Sequence, residues 1–307
     1  MPPMHSKKEC SMNNTGFCGI FVIMYYLLSA AAAYFTVASA DMMNIKMNTP
    51  EFKALVPCIS AAVSGGIVLL IYFLSGRFKS FCRTNFTKTK VSVFVKLVPV
   101  SAAVWLCGMF LNTVINAAVY HFFDISAVQQ IASTSLKSVR LINFMYVCVI
   151  APVFEELFFR GVLYDDSKTH GIQIAVLISA LMFAIAHSSI TVFGLPLVMG
   201  IVSALTLAKT GNVFYCIFIH ALCNGASFVV SVLPQSPKIV MAENLFILIC
   251  GALIFAAVLI INHTKIAKFL KSAVLQIPKY FSSSSEIIAF VSILLYYIYS
   301  NYCIHFI

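Results

Sequence analysis

Charge is what this chain has least of. Asp, Glu, Lys and Arg make up 10% of its 307 residues, against 61% hydrophobic ones. Soluble globular domains carry about 25% charged residues, so lipid rather than water is the expected solvent. The ten cysteines stand singly, mostly inside apolar runs, and no CxxC pair occurs. That excludes a disulfide framework or a zinc ribbon and leaves cysteine as a small packing residue. No HExxH pair is present, no nucleic-acid motif and no internal repeat. The absent repeat argues against a carrier built from symmetric halves. Cys303 lies one position too far from the end of the sequence for a prenylation box.

Long hydrophobic runs are abundant. A span needs about 20 apolar residues to cross a hydrocarbon core of about 30 Å. Candidates fall at 17–40, 54–75, 91–121, 138–163, 171–189, 190–208, 212–233, 243–262 and 286–307. The expectation is an all-α polytopic integral membrane protein with eight or nine helices. The first run follows Lys7 and Lys8, as a signal peptide would, but its apolar core exceeds the usual 7–15 residues. A retained signal-anchor helix is therefore expected. Between the runs thirteen lysines and arginines fall on one side, including Arg77, Lys79, Arg83, Lys265, Lys268 and Lys271. Four fall on the other: Lys46, Lys53, Lys137 and Lys238. The formal charge of +10 thus reads as positive-inside topology in a cell-membrane protein with a cytoplasmic N-terminus, and not as an affinity for nucleic acid.

Against this background Ala151–Gly161, APVFEELFFRG, puts three charges in a segment made for lipid. Each costs about 2.5–3.5 kcal/mol at a helix centre, roughly 8–10 in all. Each Leu, Ile, Phe or Val returns only about 0.3–0.6 kcal/mol. Glu156 and Arg160 are spaced i, i+4 and can pair on one face. Glu155 points about 100° away and is the carboxylate left over. Intramembrane ionisable residues mark functional sites by default. Further along come Phe183 and His187, one turn apart, and then His220 and Asn224, again i, i+4. Glu155 and His187 each lie sixteen residues from Gly171, a natural turn residue. In an antiparallel helix pair they fall at the same depth.

The three ordered elements resemble the signature of the CPBP intramembrane proteases, relatives of the type II CAAX prenyl endopeptidases: Glu155-Glu156-Leu-Phe-Phe-Arg160, Phe183–His187 and His220–Asn224. Ala151-Pro152, Gly161 and Thr210-Gly211 flank them as in that family. The resemblance covers about 150–230, which suggests a catalytic core on helices four to seven, with N-terminal helices in 1–149 and C-terminal helices in 231–307.

It implies an intramembrane endopeptidase acting on a membrane-associated peptide or prenylated protein. Glu155 would be the general base, working with His187 on a water. His220 and Asn224 would donate to the oxyanion, and Glu156, Arg160 and Phe183 would support them. A zinc ion held by His187, His220 and Glu155 is a possible alternative, but metal-independent hydrolysis accounts for all four catalytic positions. Two other functions remain open: a non-catalytic scaffold or bacteriocin self-immunity factor, and a proton-coupled carrier.

Overall fold

The structure, a computed structural model, describes residues 17–77, 81–82, 86–123, 137–187, 189–234, 236–282 and the single positions 287, 291 and 294. Among these, turns and short irregular segments aside, all regular structure is helical apart from one isolated antiparallel bridge between Phe86 and Asn212. Eight helices follow in order: α1 Phe17–Met42, α2 Pro50–Tyr72, α3 Val91–Phe123, α4 Lys137–His170, α5 Ile172–Ala186, α6 Gly194–Thr210, α7 Val213–Val232 and α8 Pro237–Tyr280. Six are long and apolar enough to cross a membrane. The exceptions, α5 and α6, are apolar but shorter. At 1.5 Å per residue their 15 and 17 residues reach about 22 and 26 Å. The expected run at 286–307 lies outside the described residues save for those single positions.

Two helices outrun their expected bounds. Helix α4, expected over 138–163, continues to His170. The eighth, expected over 243–262, is a continuous 44-residue helix, roughly 66 Å long. It runs on through the basic stretch read as a loop. Lys265, Lys268 and Lys271 recur at helical spacing, and no glycine interrupts the helix after Gly251. Positive charge outside the bilayer is no obstacle to a helix. Its far end is anchored: Gln276 accepts from the Ile174 amide at 3.1 Å and donates to Gln173 at 2.9 Å.

The helix ends that frame the site are capped across elements. Gly171, between α4 and α5, has φ +139°, a conformation that glycine alone adopts easily. The first two amides of α6 are orphan donors by geometry. Asn112 of α3 satisfies them, accepting from Gly194 at 2.6 Å and Leu195 at 3.2 Å. Asn212 caps α7 by accepting from Phe214 N and donates to the Thr87 carbonyl at 2.7 Å. Helices α3 and α7 then run side by side in the same direction. Lys90 N donates to Tyr215 Oη (2.7 Å), Cys223 contacts the Ser101 carbonyl (3.5 Å), and Trp105 donates to Ser227 (2.9 Å). This register holds α7 against α4, where the charges are.

Candidate active site

Helix α4 is not a uniform α-helix. Two stretches, Tyr146–Ile150 and Leu157–Leu163, adopt the wider π form, flanking the α-helical Ala151–Glu156. Ala151 N–H bonds the Tyr146 carbonyl five residues back, and Tyr164 N–H bonds Phe159 in the same way. Pro152 supplies a local reason for the first. It has no N–H, and its ring clashes with the carbonyl four residues back, which disfavours the tight register there. Such turns are common at functional sites. Beyond the glutamates every residue from Phe158 to Tyr164 is buried. Gly161 sits directly under the Phe81 ring, with no space for a Cβ.

Glu156 and Arg160 are both fully buried, with Glu156 Oε2 and Arg160 Nε 3.1 Å apart. That contact is an ion pair outside hydrogen-bond angles. Among the described residues the guanidinium Nη1 and Nη2 find no hydrogen-bond partner either. Its plane is instead stabilised by Phe183, whose ring centroid lies 4.3 Å from Cζ. The second oxygen of Glu156 meets His220 Nδ1 at 3.0 Å. His220 Nε2 faces the other glutamate, 3.9 Å from Glu155 Oε2. One imidazole therefore stands between the two carboxylates. Glu155 differs from Glu156 in access, keeping 18% of its side chain exposed where Glu156 keeps none.

Phe183 organises the rest. Its ring meets His187 and His220 edge-on, with centroids 4.9 and 5.4 Å away. His187 Nδ1 lies 2.8 Å from the Phe183 carbonyl, which makes it the donor and leaves Nε2 as the acceptor of the neutral ring. Glu155, His220 and Arg160 all act electrostatically on His187. Asn224 donates through Nδ2 to the Val147 carbonyl at 2.7 Å. Glu155, Glu156, Arg160, Phe183, His187 and His220 thus gather where α4, the end of α5 and α7 meet, with pairings that differ from a simple Glu155–His187 bond, while Asn224 meets α4 about two turns earlier, at Val147.

Three further side chains belong to this neighbourhood. Tyr25 of α1 and Tyr146 of α4 lie within electrostatic range of Glu155, and Ser64 of α2 lies beside Tyr25 while donating to the Ser60 carbonyl at 2.7 Å. Tyr25 also stacks on Phe158 at 5.0 Å. No motif pointed to them. The one signal in the sequence is that a tyrosine carries a hydroxyl into an apolar span, where it needs a partner. As for a metal, among the described residues no three His, Cys, Asp or Glu side chains converge as a ligand set. Both ring nitrogens of His220 are turned to carboxylates at 3.0 and 3.9 Å.

Comparison with known families agrees with the motifs. Residues 137–226 match the family model described as type II CAAX prenyl endopeptidase Rce1-like. That segment is similar to an Rce1-like domain. The match runs from the start of α4 to within α7, so every motif residue falls inside the matched segment, whereas Tyr25 and Ser64 fall outside it. No curated protein and no solved structure matches the chain.

Proposed function

We propose that the chain is an intramembrane endopeptidase that hydrolyses a peptide bond in a membrane-associated substrate, either a CAAX-type prenylated tail or a leader or signal peptide. One observation carries this reading. Glu156 and Arg160 neutralise each other in full burial, while Glu155 is a surplus carboxylate with partial access. A buried ion pair alone has no need of a second glutamate. In this reading Glu155 takes a proton from a water held between its carboxylate and His220 Nε2. The water oxygen attacks the scissile carbonyl, and the proton passes on to the leaving amine. His187, through its free Nε2 lone pair, assists in activating the water. Asn224, and His220 when Nε2 as well as the Glu156-bound Nδ1 carries a proton, donate to the developing oxyanion. Preorganised donors in a water-poor site are typically worth about 10²–10³ in rate each. No metal enters any step. The positive-inside pattern supports a cell-membrane protein with its N-terminus in the cytoplasm.

The test is cleavage of prenylated CAAX peptides and leader peptides by the purified, detergent-solubilised protein. Glu155→Gln, which keeps shape and removes the base, is expected to lose about 10²–10⁴ in turnover. His220→Ala is expected to fail as well, and a chelator to change nothing. If no peptide is cleaved while wild type and both variants bind one equally well, the scaffold reading replaces this one.

A further inference from the structure

The Asn224 contact has a cause in the sequence of α4. In a π turn the amide of residue i bonds the carbonyl of i−5. Ala151 N–H reaches Tyr146 in this way, passing over Val147. The next amide in register, at residue 152, is the one that would satisfy the Val147 carbonyl, and residue 152 is a proline without an N–H. An orphan carbonyl in an apolar environment must find a donor elsewhere. The donor is Asn224 Nδ2, at 2.7 Å. One turn earlier on the same face of α7, His220 is bonded to Glu156. Two side chains of α7 thus latch onto α4 on either side of Glu155, one on a carboxylate and one on a main-chain oxygen left open by a proline.

We propose that Pro152 is a positioning residue of the active site: by leaving the Val147 carbonyl without a backbone donor, it reserves that oxygen for Asn224 and fixes the orientation of the Asn224 amide. An asparagine amide has two N–H donors. With one held by Val147, the other is aimed rather than free to rotate, as a preorganised oxyanion donor requires. The inference deepens the proteolytic reading and rests on it for the role of the second N–H. The pinning of Asn224 stands on the geometry alone.

Pro152→Ala tests it, because alanine returns an N–H that competes with Asn224 for Val147. Alanine is the better helix former, so the variant is expected to fold and unfold at no lower temperature than wild type. Its kcat is expected to fall about tenfold with KM within about twofold, the pattern of an interaction that matters only in the transition state. In the Asn224→Ala background the same change is expected to cost nothing further, since both substitutions break one contact. In substrate-free protein labelled with ¹⁵N-asparagine, and with the Asn224 signal identified by its loss in Asn224→Ala, the side-chain amide resonance of Asn224 is expected to move on Pro152→Ala. An unmoved resonance overturns the inference, as does a full tenfold loss repeated in the Asn224→Ala background. If wild type cleaves no peptide, the proteolytic reading fails in the kinetic arms, and the resonance alone still decides whether Pro152 positions Asn224.

Discussion

Helices α4 and α8 are both apolar enough to cross a membrane, yet they use their side chains in opposite ways. The most apolar window of α8 has a mean hydropathy of 2.9, that of α4 only 1.7. Nevertheless α8 buries just Ile247, Gly251, Ala273 and Tyr280 of its 44 residues, whereas α4 buries an unbroken run from Phe158 to Tyr164 around the charges. The more hydrophobic helix is the one turned to lipid. Lipid tails are as apolar as leucine, so hydrophobicity does not drive helices together inside a bilayer. What draws neighbours around α4 is its polar content: Glu156, Arg160 and the open Val147 carbonyl each require a partner from another helix.

The comparison breaks first at Arg160. Arg160→Met leaves Glu156 as an uncompensated buried carboxylate, a change that typically costs about 3–5 kcal/mol. A large drop in the thermal unfolding midpoint of the detergent-solubilised protein is expected, measured by circular dichroism. Adding Glu156→Gln removes the stranded charge, and the double variant is expected to recover most of the loss while staying inactive. A double variant as unstable as Arg160→Met would mean that packing of the guanidinium, not its charge, holds α4 in place. Core packing comes next. Ile219 is fully buried on α7, and Ile219→Ala is expected to cost about 2 kcal/mol through the cavity it leaves.

Much of this was legible from sequence, because two signals survive without tertiary knowledge. Runs of about 20 apolar residues fix where helices cross, and charges that lipid rejects mark where they meet. The runs at 91–121 and 212–233 correspond closely to Val91–Phe123 and Val213–Val232. The pairings were less legible. The match in depth brings His187 into the electrostatic range of Glu155, but which imidazole stands between the glutamates depends on how α7 crosses α4, and no spacing within one helix encodes that. Tyr25 was hidden for the same reason, lying more than a hundred residues before the motif. The first π turn had a visible cause in Pro152, yet its effect on Asn224 required the partner helix.

Tyr25 offers a smaller, sharper test of the site side of the comparison. Its ring stacks on Phe158 and its charge environment includes Glu155. Tyr25→Phe keeps the ring and removes only the hydroxyl. The phenol acts on Glu155 across space and not through a hydrogen bond, so a loss of no more than about tenfold in kcat is expected if the hydroxyl orients Glu155, with the unfolding midpoint unchanged. Equal activity in Tyr25→Phe would reduce α1 to a wall of the site.

The smallest expected effect lies on α8 and tests the comparison most directly. Ile260 is 71% exposed on the protein surface. In water that exposure would mark a binding patch or an aggregation hazard. In a bilayer it is ordinary lipid contact, and Ile260→Ala merely lets lipid tails fill the volume of the lost methyl groups. No cavity forms, because the fluid neighbour follows the new surface, whereas the neighbours of Ile219 are tied to their own helices. Ile260→Ala is therefore expected to shift stability by no more than about 0.5 kcal/mol, as surface changes usually do, in lipid nanodiscs as in detergent. A loss as large as that of Ile219→Ala would show that α8 packs there against protein, a second copy of the chain included, and that its apolar face is an interface instead of a lipid boundary.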